Sequence, residues 1–543
     1  MASHLSARGQ NVAVGGVVCG ALLTLLTIAW TVRIEPATRI DPASDAPPPS
    51  AERLQLGEQM YRDGVLPSGA LLRGRHPGGS DVAGPLAACA QCHRRSGLGS
   101  VEGHRVVPPV TARFLFAPRA ATAGRDHRRP AYTRETLLRA LRNGLDAAGR
   151  PLDLSMPRFI VGADDADVLV DYLTQLSDRG SPGVGADAFH FATVLTPGVD
   201  PRRRQAMLDV LGAFFSAHNA STRLEALRDH SSPQAPHRTW QLDVWDLAGP
   251  PETWLAQLDD FAAHEPPFAL VSGLGDGEWA PVHGFCETRA IPCWFPTVDL
   301  PVTAPDDFYS VYFTGGVALE AQLLAQEVRA RRVVQVRGPD RAAAGGTQAL
   351  RRTLAAAGVA VDTRALPVAD VAALRDAVEV AGPGDALVLW LRPAEVARLQ
   401  DIAPPAGAAV YVSTTLAGTQ LPAAWRAQAH LVDPFELPEL RRASVARLHV
   451  WLQIHGLPLV DERVQSDAYL ACTLLAERVD DLQEAVTRER LLERAEATLA
   501  GGRPGIYHRL SLGPSQRVAS KGGYITRFRD DGVLVADSGW LVP

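Results

Sequence analysis

The chain has 543 residues, too many for one ordinary domain; at about 150 residues per domain, three to four units are expected. Hydrophobic residues make up 46% and charged residues 21%, which excludes wholesale disorder and collagen-like or coiled-coil chains. A formal charge of −6 excludes a nucleic-acid binder that coats phosphates.

From Val12 to Val32 the sequence VAVGGVVCGALLTLLTIAWTV holds no charged residue. About 20 apolar residues span a hydrocarbon core of roughly 30 Å, so this stretch reads as a transmembrane anchor or as the core of a signal peptide. The nearest cleavage candidates, around Ala37 and Ala43, are poor, and Cys19 lacks the small residues that precede a lipidated cysteine. Either reading places the remainder in a bacterial periplasm, anchored to the inner membrane or released after cleavage. Ile40 to Ser50 (IDPASDAPPPS) reads as an extended linker that closes a first segment, 1–50.

Cys89-Ala90-Gln91-Cys92-His93 is the attachment pattern of c-type haem. Two thiols one helical turn apart can add to the two vinyl groups of one porphyrin, and the adjacent histidine presents its imidazole to the iron. Roughly 0.002 such patterns are expected by chance in a chain of this composition. A zinc half-site wants a second Cys/His pair and a thioredoxin-like motif a βαβ context, and neither surrounds the pattern. One covalently attached haem c on Cys89, Cys92 and His93 is therefore expected.

Around this pattern, Gly57 and Tyr61 lie one turn apart in AERLQLGEQMYRDG, Tyr132 to Asn143 shows helical periodicity, and Tyr172 sits in ADVLVDYLTQL. The stretch from about Ala51 to Asp178 resembles class I cytochrome c. The resemblance implies an all-α domain, 51–180, in which Gly57 and Tyr61 pack against an aromatic of the last helix, here Tyr172. It also implies a methionine as sixth iron ligand. Of the four methionines, Met156 in Leu154-Ser155-Met156-Pro157 lies where that family places it; His104 and His127 are the competing ligands. Arg94 and Arg95 are expected to meet haem propionates, a docking partner or solvent. Of Pro108-Pro109, Pro109 is favoured as the proline whose carbonyl orients the histidine.

After Ser177 to Gly183 the texture changes. Short apolar runs ending at Thr196, Ser272, Arg337, Leu391 and Ser413 alternate with helical patterns at Arg203–His218, Val317–Arg329, Thr347–Ala357 and Val368–Ala381. Such alternation implies parallel sheets covered on both faces, and some 350 residues imply two lobes. The order of elements, with Thr196-Pro197-Gly198, Ser272-Gly273-Leu274-Gly275-Asp276, Ile291-Pro292-Cys293-Trp294-Phe295-Pro296 and a helical region from Leu437 to Leu482, resembles the type I periplasmic binding proteins of the branched-chain amino acid-binding kind. The resemblance covers about 186–543, with the domain itself set at 187–543, and implies hinge closure on a ligand.

A ligand in such sheets lies beyond the carboxyl ends of the strands, which singles out Thr196, Ser272, Gly273, Asp340 and Ser413, with Asp276, Arg337 and Thr414 beside them. Cys286 and Cys293 are a candidate disulfide in an oxidising compartment, Cys472 a buried thiol, and the charged run from Val479 to Glu496 a surface helix. Residues 51–180 hold 18 arginines and 14 acids, whereas 181–543 hold 33 basic and 43 acidic residues; the opposite signs permit docking of one unit on the other or on an acidic redox partner.

The expected architecture is multidomain: an N-terminal transmembrane or signal helix, an all-α cytochrome c domain and a two-lobed α/β binding-protein-like unit. The expected function is periplasmic one-electron transfer by one haem c, with redox partner proteins and a small-molecule solute as partners, no nucleic acid, and the inner membrane engaged through the first helix. The alternative is a solute receptor of ABC-transporter binding-protein type with an accessory haem. A haem enzyme such as a peroxidase needs the iron position that Met156 would fill. No Ser-His-Asp constellation stands out, so no autonomous catalysis is expected.

Overall fold

The computed structural model describes residues 48–119, 128–177, 180–228, 237–366, 370–482, 486–501 and 505–543. The apolar stretch 12–32 and His127 lie outside the described residues. Among the described residues no helix is long and apolar enough to cross a membrane.

The region before residue 180 is organised by three helices, Ala51–Asp63, Arg134–Asn143 and Ala163–Leu173. Ser50 caps the first by accepting a hydrogen bond from Arg53 N–H, and Gly64 ends it in the left-handed conformation (φ 66°). The first and last helices cross at Gly57, where an added Cβ would lie 2.6 Å from Tyr172 Cβ and 2.7 Å from the Val168 carbonyl oxygen. Tyr61 and Tyr172 meet with ring centroids 5.5 Å apart, as the pattern implies. Gly57→Val should therefore force the helices apart and cost about 1–3 kcal/mol, read as a lower denaturation midpoint for this region.

The all-α expectation needs correction, because two small sheets accompany the helices. β1 (Arg73–Arg75) lies between β2 (Asp81–Ala83) and β5 (Arg158–Ile160), and β3 (Ser100–Glu102) pairs with β4 (Arg105–Val107). Gly74 explains the first sheet. A Cβ there would sit 3.0 Å from Pro157 and 3.1 Å from Phe159, so glycine lets the Met156-Pro157 segment close down on the strand.

From Ala188 onward two α/β lobes form. The first sheet has the order β11 (Thr297–Val298), β9 (Leu274–Gly275), β6 (Ala188–Leu195), β8 (Ala269–Val271), β10 (Cys293–Trp294), β12 (Ser310–Thr314), β18 (Val518–Ser520), with β7 (Thr239–Asp246) also paired to β6. All its pairings are parallel. The second has the order β14 (Ala360–Ala365), β13 (Arg332–Arg337), β15 (Ala386–Trp390), β16 (Ala409–Ser413), β17 (Ala429–Asp433), β19 (Tyr524–Phe528), β20 (Leu534–Ala536). Its last two pairings, β17 with β19 and β19 with β20, are antiparallel, a departure from the parallel expectation: β19 alone runs against the other strands.

The chain crosses between lobes three times: after β12 at Thr314 to Gly316, after β17 at Asp433 to Leu437, and from β18 to β19 at Ser520 to Tyr524. The crossings are tightly packed. A Cβ on Gly523 would lie 2.6 Å from the Asp433 carbonyl oxygen, which only glycine permits. The helices Pro438–Ile454 and Glu462–Asp480 return to lobe 1, where Leu448, Leu452, Ala468 and Leu475 join Phe191, Val210 and Phe268 in one core.

The run ending at Glu496 is not a surface helix. Helix Arg488–Thr498 buries Leu491, Leu492 and Ala495 in the lobe 1 core, and its charged side carries the region before residue 180. Arg62 contacts Glu489 (3.2 Å), which also accepts from the Tyr309 hydroxyl (2.7 Å). Arg94 pairs with Glu496, and Ser96 donates N–H (2.9 Å) and O–H (2.6 Å) to Glu493. The Arg95 guanidinium stacks 4.4 Å from the Phe308 ring centre. Arg94 and Arg95 thus serve as a docking face onto the same chain.

Candidate functional site

Two sites stand out. The first is a cavity of about 370 Å³ in the region before residue 180, lined by Cys89, Cys92, His93 and Met156 among apolar side chains such as Leu115, Leu137 and Phe159. A second cavity of about 510 Å³ shares His93, Leu137 and Met156 with it. The helical turn Ala90–His93 sets the spacing, with His93 N–H bonded to the Cys89 carbonyl at 2.9 Å. His93 Nδ1 lies 2.8 Å from the Pro108 carbonyl, so the orienting proline is Pro108 and not Pro109. That bond fixes the proton on Nδ1 and leaves Nε2 as the nitrogen with a free lone pair. Burial holds the His93 imidazole below its ordinary value, with the Pro108 carbonyl acting the other way. His104, at the exposed tip of the β3–β4 turn, is not part of the cavity wall. Two thiols one turn apart, an anchored imidazole and a thioether on one apolar cavity form a donor set that fits haem c.

The second site is a cleft of about 990 Å³ between the lobes. Its wall carries Arg203, Arg392, Arg441 and Arg463 together with Asp200, Asp276, Asp340, Glu395, Asp433, Asp461 and Glu462. Arg392 of lobe 2 is the centre of this array. It reaches Asp299 of lobe 1 at 2.6 Å, Asp276 of lobe 1 at 3.4 Å and Asp340 of its own lobe at 3.3 Å. Arg463 holds the other oxygen of Asp299 at 2.8 Å. A further cross-lobe pair joins Arg341 to Glu278. Burial works to raise Asp299, but Arg463, Arg392 and Arg203 outweigh it and hold it down at about 2.

Of the five expected ligand residues, Asp340 lines the cleft and the others serve the framework. Thr196 Oγ1 accepts from Asp276 N–H at 3.2 Å and so positions that carboxylate. Ser272 has left-handed backbone (φ 56°), which turns its hydroxyl into the core toward Met207 Sδ at 3.5 Å. Gly273 (φ 115°) lies under Trp279, whose ring would be 3.0 Å from an added Cβ. Ser413 is buried and donates to Glu320, while its Oγ caps the helix Thr414–Ala417 by accepting from Leu416 N–H. Asp276 and Thr414 line the cleft as expected, and Arg337 is not among its lining residues. Sequence reading missed Arg392, Arg463 and Asp299. Arg392 follows the apolar run ending at Leu391, and its place just past a strand end was a usable signal.

Cys286 and Cys293 are buried free cysteines in this structure, in contrast to the disulfide expected of them. Burial raises the Cys286 thiol, and the Cys293 sulfur adds to the effect; both side chains pack with Phe285, Val282 and Tyr312 in one apolar cluster. Cys472 is buried and free, as expected.

Several buried acids near the hinge set a pH dependence. Burial pushes Glu320 up to about 7 against its bonds from Ser413 and Thr415. It pushes Asp433 to about 6 against Arg441, and Asp467 to about 6 against Arg463. Each folded value lies above the ordinary one, so each contribution to stability is complete below about pH 4 and is lost as pH rises through 6 to 7. Asp299, held low, loses its contribution only below that window. The denaturant midpoint should fall from pH 5 to pH 8, and Glu320→Gln should flatten that slope.

No protein-family model matches the chain, and no curated protein matches it. Solved structures do. A branched chain amino acid ABC transporter structure from Thermus thermophilus with bound valine is 12% identical, covering 66% of this chain and 97% of its own, with a TM-score of 0.50. A substrate-binding periplasmic protein from Ralstonia solanacearum is 16% identical, covering 64% and 99%, with a TM-score of 0.49. The chain contains the type I periplasmic binding protein fold.

Proposed function

We propose that this protein is a periplasmic solute receptor that carries an accessory c-type haem. The observation that carries the reading is the cleft: two lobes joined by three short crossings, with ion pairs from Arg392 and Arg341 bridging its mouth. That is the arrangement of a receptor that closes by hinge motion around a small molecule, and structures of the same fold include one described with bound valine. The wall of mixed arginine and carboxylate groups suits a polar solute bearing charge of both signs. The experiment is a thermal-shift panel of amino acids, carboxylates and amines on the whole exported chain. A stabilising solute whose effect disappears in Asp340→Ala supports the reading. A panel without effect on the wild type, together with unchanged scattering in Arg392→Ala, counts against it.

One-electron transfer is the second reading, favoured by the cavity that brings His93 and Met156 to one space. Cys89 and Cys92 would hold the porphyrin, His93 Nε2 and Met156 Sδ the iron. A haem there supplies a one-electron centre whose potential a thioether ligand raises. Pro108 holds the imidazole proton, and the apolar wall excludes water. Met156→Ala should lower the reduction potential and let the ferrous protein bind carbon monoxide; an unchanged spectrum would reassign the ligand. The N-terminal apolar stretch would anchor or export the chain, and redox partners would meet the region before residue 180.

A further inference from the structure

Lobe 1 carries a cluster that neither reading uses. His283 and Glu287 stand one turn apart on helix Ala280–Thr288, and Asp307 faces them from the segment leading into β12. One ligand atom from each of the three lies within 4.8 Å of the others. His283 and Asp307 are buried. His283 Nε2 is 3.3 Å from Asp307 Oδ1, whereas its Nδ1 lies 3.1 Å from the Tyr312 hydroxyl.

Each of the three side chains is fixed from behind. Tyr312 orients the imidazole, so that Nε2 is the nitrogen turned to the carboxylates. Glu287 accepts from Ser310 N–H at 2.7 Å through Oε1, and from Phe308 and Tyr309 N–H at 2.9 and 3.1 Å through Oε2. Asp307 Oδ2 accepts from Ala304 N–H. This is how metal-ligating histidines and carboxylates are held in place by their outer partners. A second observation points the same way: Ser310, fully buried on the face of β12 that it shares with Tyr312, has a hydroxyl with no partner among the described residues.

We propose that His283, Glu287 and Asp307 bind one divalent cation of the zinc class through one nitrogen and two oxygens. Three protein ligands leave a coordination position for water, and an imidazole selects zinc over magnesium and calcium. A metal would be held by the neutral form of the imidazole. The cation would tie helix Ala280–Thr288 to Phe308 and Tyr309, the residues that receive Arg95 and Arg62 from the haem-motif region. It would thereby stiffen the surface on which that region docks.

The test is zinc titration of the full chain, purified from a host that matures c-type cytochromes and stripped with chelator, followed by calorimetry and by metal analysis after desalting. One zinc should be retained per chain, with a rise in unfolding temperature, and magnesium and calcium should do neither. His283→Gln and Asp307→Asn should each weaken binding at least tenfold and abolish the temperature rise. The same stoichiometry should persist in a Cys89→Ala/Cys92→Ala chain and in Cys286→Ser, which separates this site from the other sulfur and imidazole ligands. No retained zinc, or binding that survives both His283→Gln and Asp307→Asn, or binding lost only with the cysteines, would overturn the proposal and leave an ordinary His–Asp pair.

Discussion

Asp299→Ala should destabilise the protein by about 3–5 kcal/mol, because removing one partner of a buried ion-pair network leaves uncompensated charge. Asp299 is 3% exposed and receives Arg392 on one oxygen and Arg463 on the other. Alanine would leave two guanidinium groups facing each other beside the first crossing, where Gly316 packs on the Asp299 backbone carbonyl. The effect should appear in urea unfolding monitored by tryptophan fluorescence. Asp299→Asn, which keeps shape but not charge, should be closer to alanine than to wild type if charge is the cause. A wild-type midpoint in both variants would show that Arg392 and Arg463 find other partners.

The second large effect is expected at Arg488. This arginine, 7% exposed, donates to the carbonyls of Phe268 and Ala290 at 3.2 Å each and to that of Pro267. Its own N–H donates to Ser181 Oγ at 3.0 Å. It therefore fastens the helix that carries Glu489, Glu493 and Glu496 to lobe 1 while holding the connection from residue 180. Arg488→Ala leaves three carbonyls, two of them buried, short of a charged donor, at roughly 1.5–3 kcal/mol for a hydrogen bond to a charged group. Unfolding should then separate into two transitions, with the region around His93 melting first. Arg488→Lys should recover part of the loss, since one ammonium can meet some of the same carbonyls. A single unshifted transition would mean that Arg62, Arg94 and Ser96 hold the docking alone.

Much of the framework was legible locally. RVVQVR and AAVYVS became β13 and β16 because β-branched runs bounded by turns have few other uses in a sheet buried on both faces. Gly57, Tyr61 and Tyr172 were legible because a glycine one turn from a tyrosine marks a close helix crossing. TWQLDVWD was missed: β7 is an edge strand that pairs only with β6, and its exposed Gln241 and Asp246 interrupt the apolar pattern.

The cleft was hidden for a different reason. Asp299 and Arg463 are 164 residues apart and meet only because the chain crosses between lobes three times. No local pattern contains that closure. The helix Arg488–Thr498 was misread on the same grounds. Its glutamates look solvated when taken alone, yet Glu493 is buried against Ser96, 397 residues away. Burial lifts Glu493 to about 7 in spite of the bonds from Ser96 and the charge of Arg94. The strand-end rule for ligand sites succeeded at Asp276 and Asp340. It failed at Ser272 because the left-handed backbone there turns the side chain away from the cleft.

Solution scattering tests the receptor account most directly. Arg392 is the residue through which lobe 2 holds Asp276 and Asp299 of lobe 1, so Arg392→Ala should increase the radius of gyration of the whole chain, and a solute that stabilises the wild type should no longer compact the variant. Identical scattering profiles for wild type and Arg392→Ala, with and without that solute, would contradict a cleft that opens and closes.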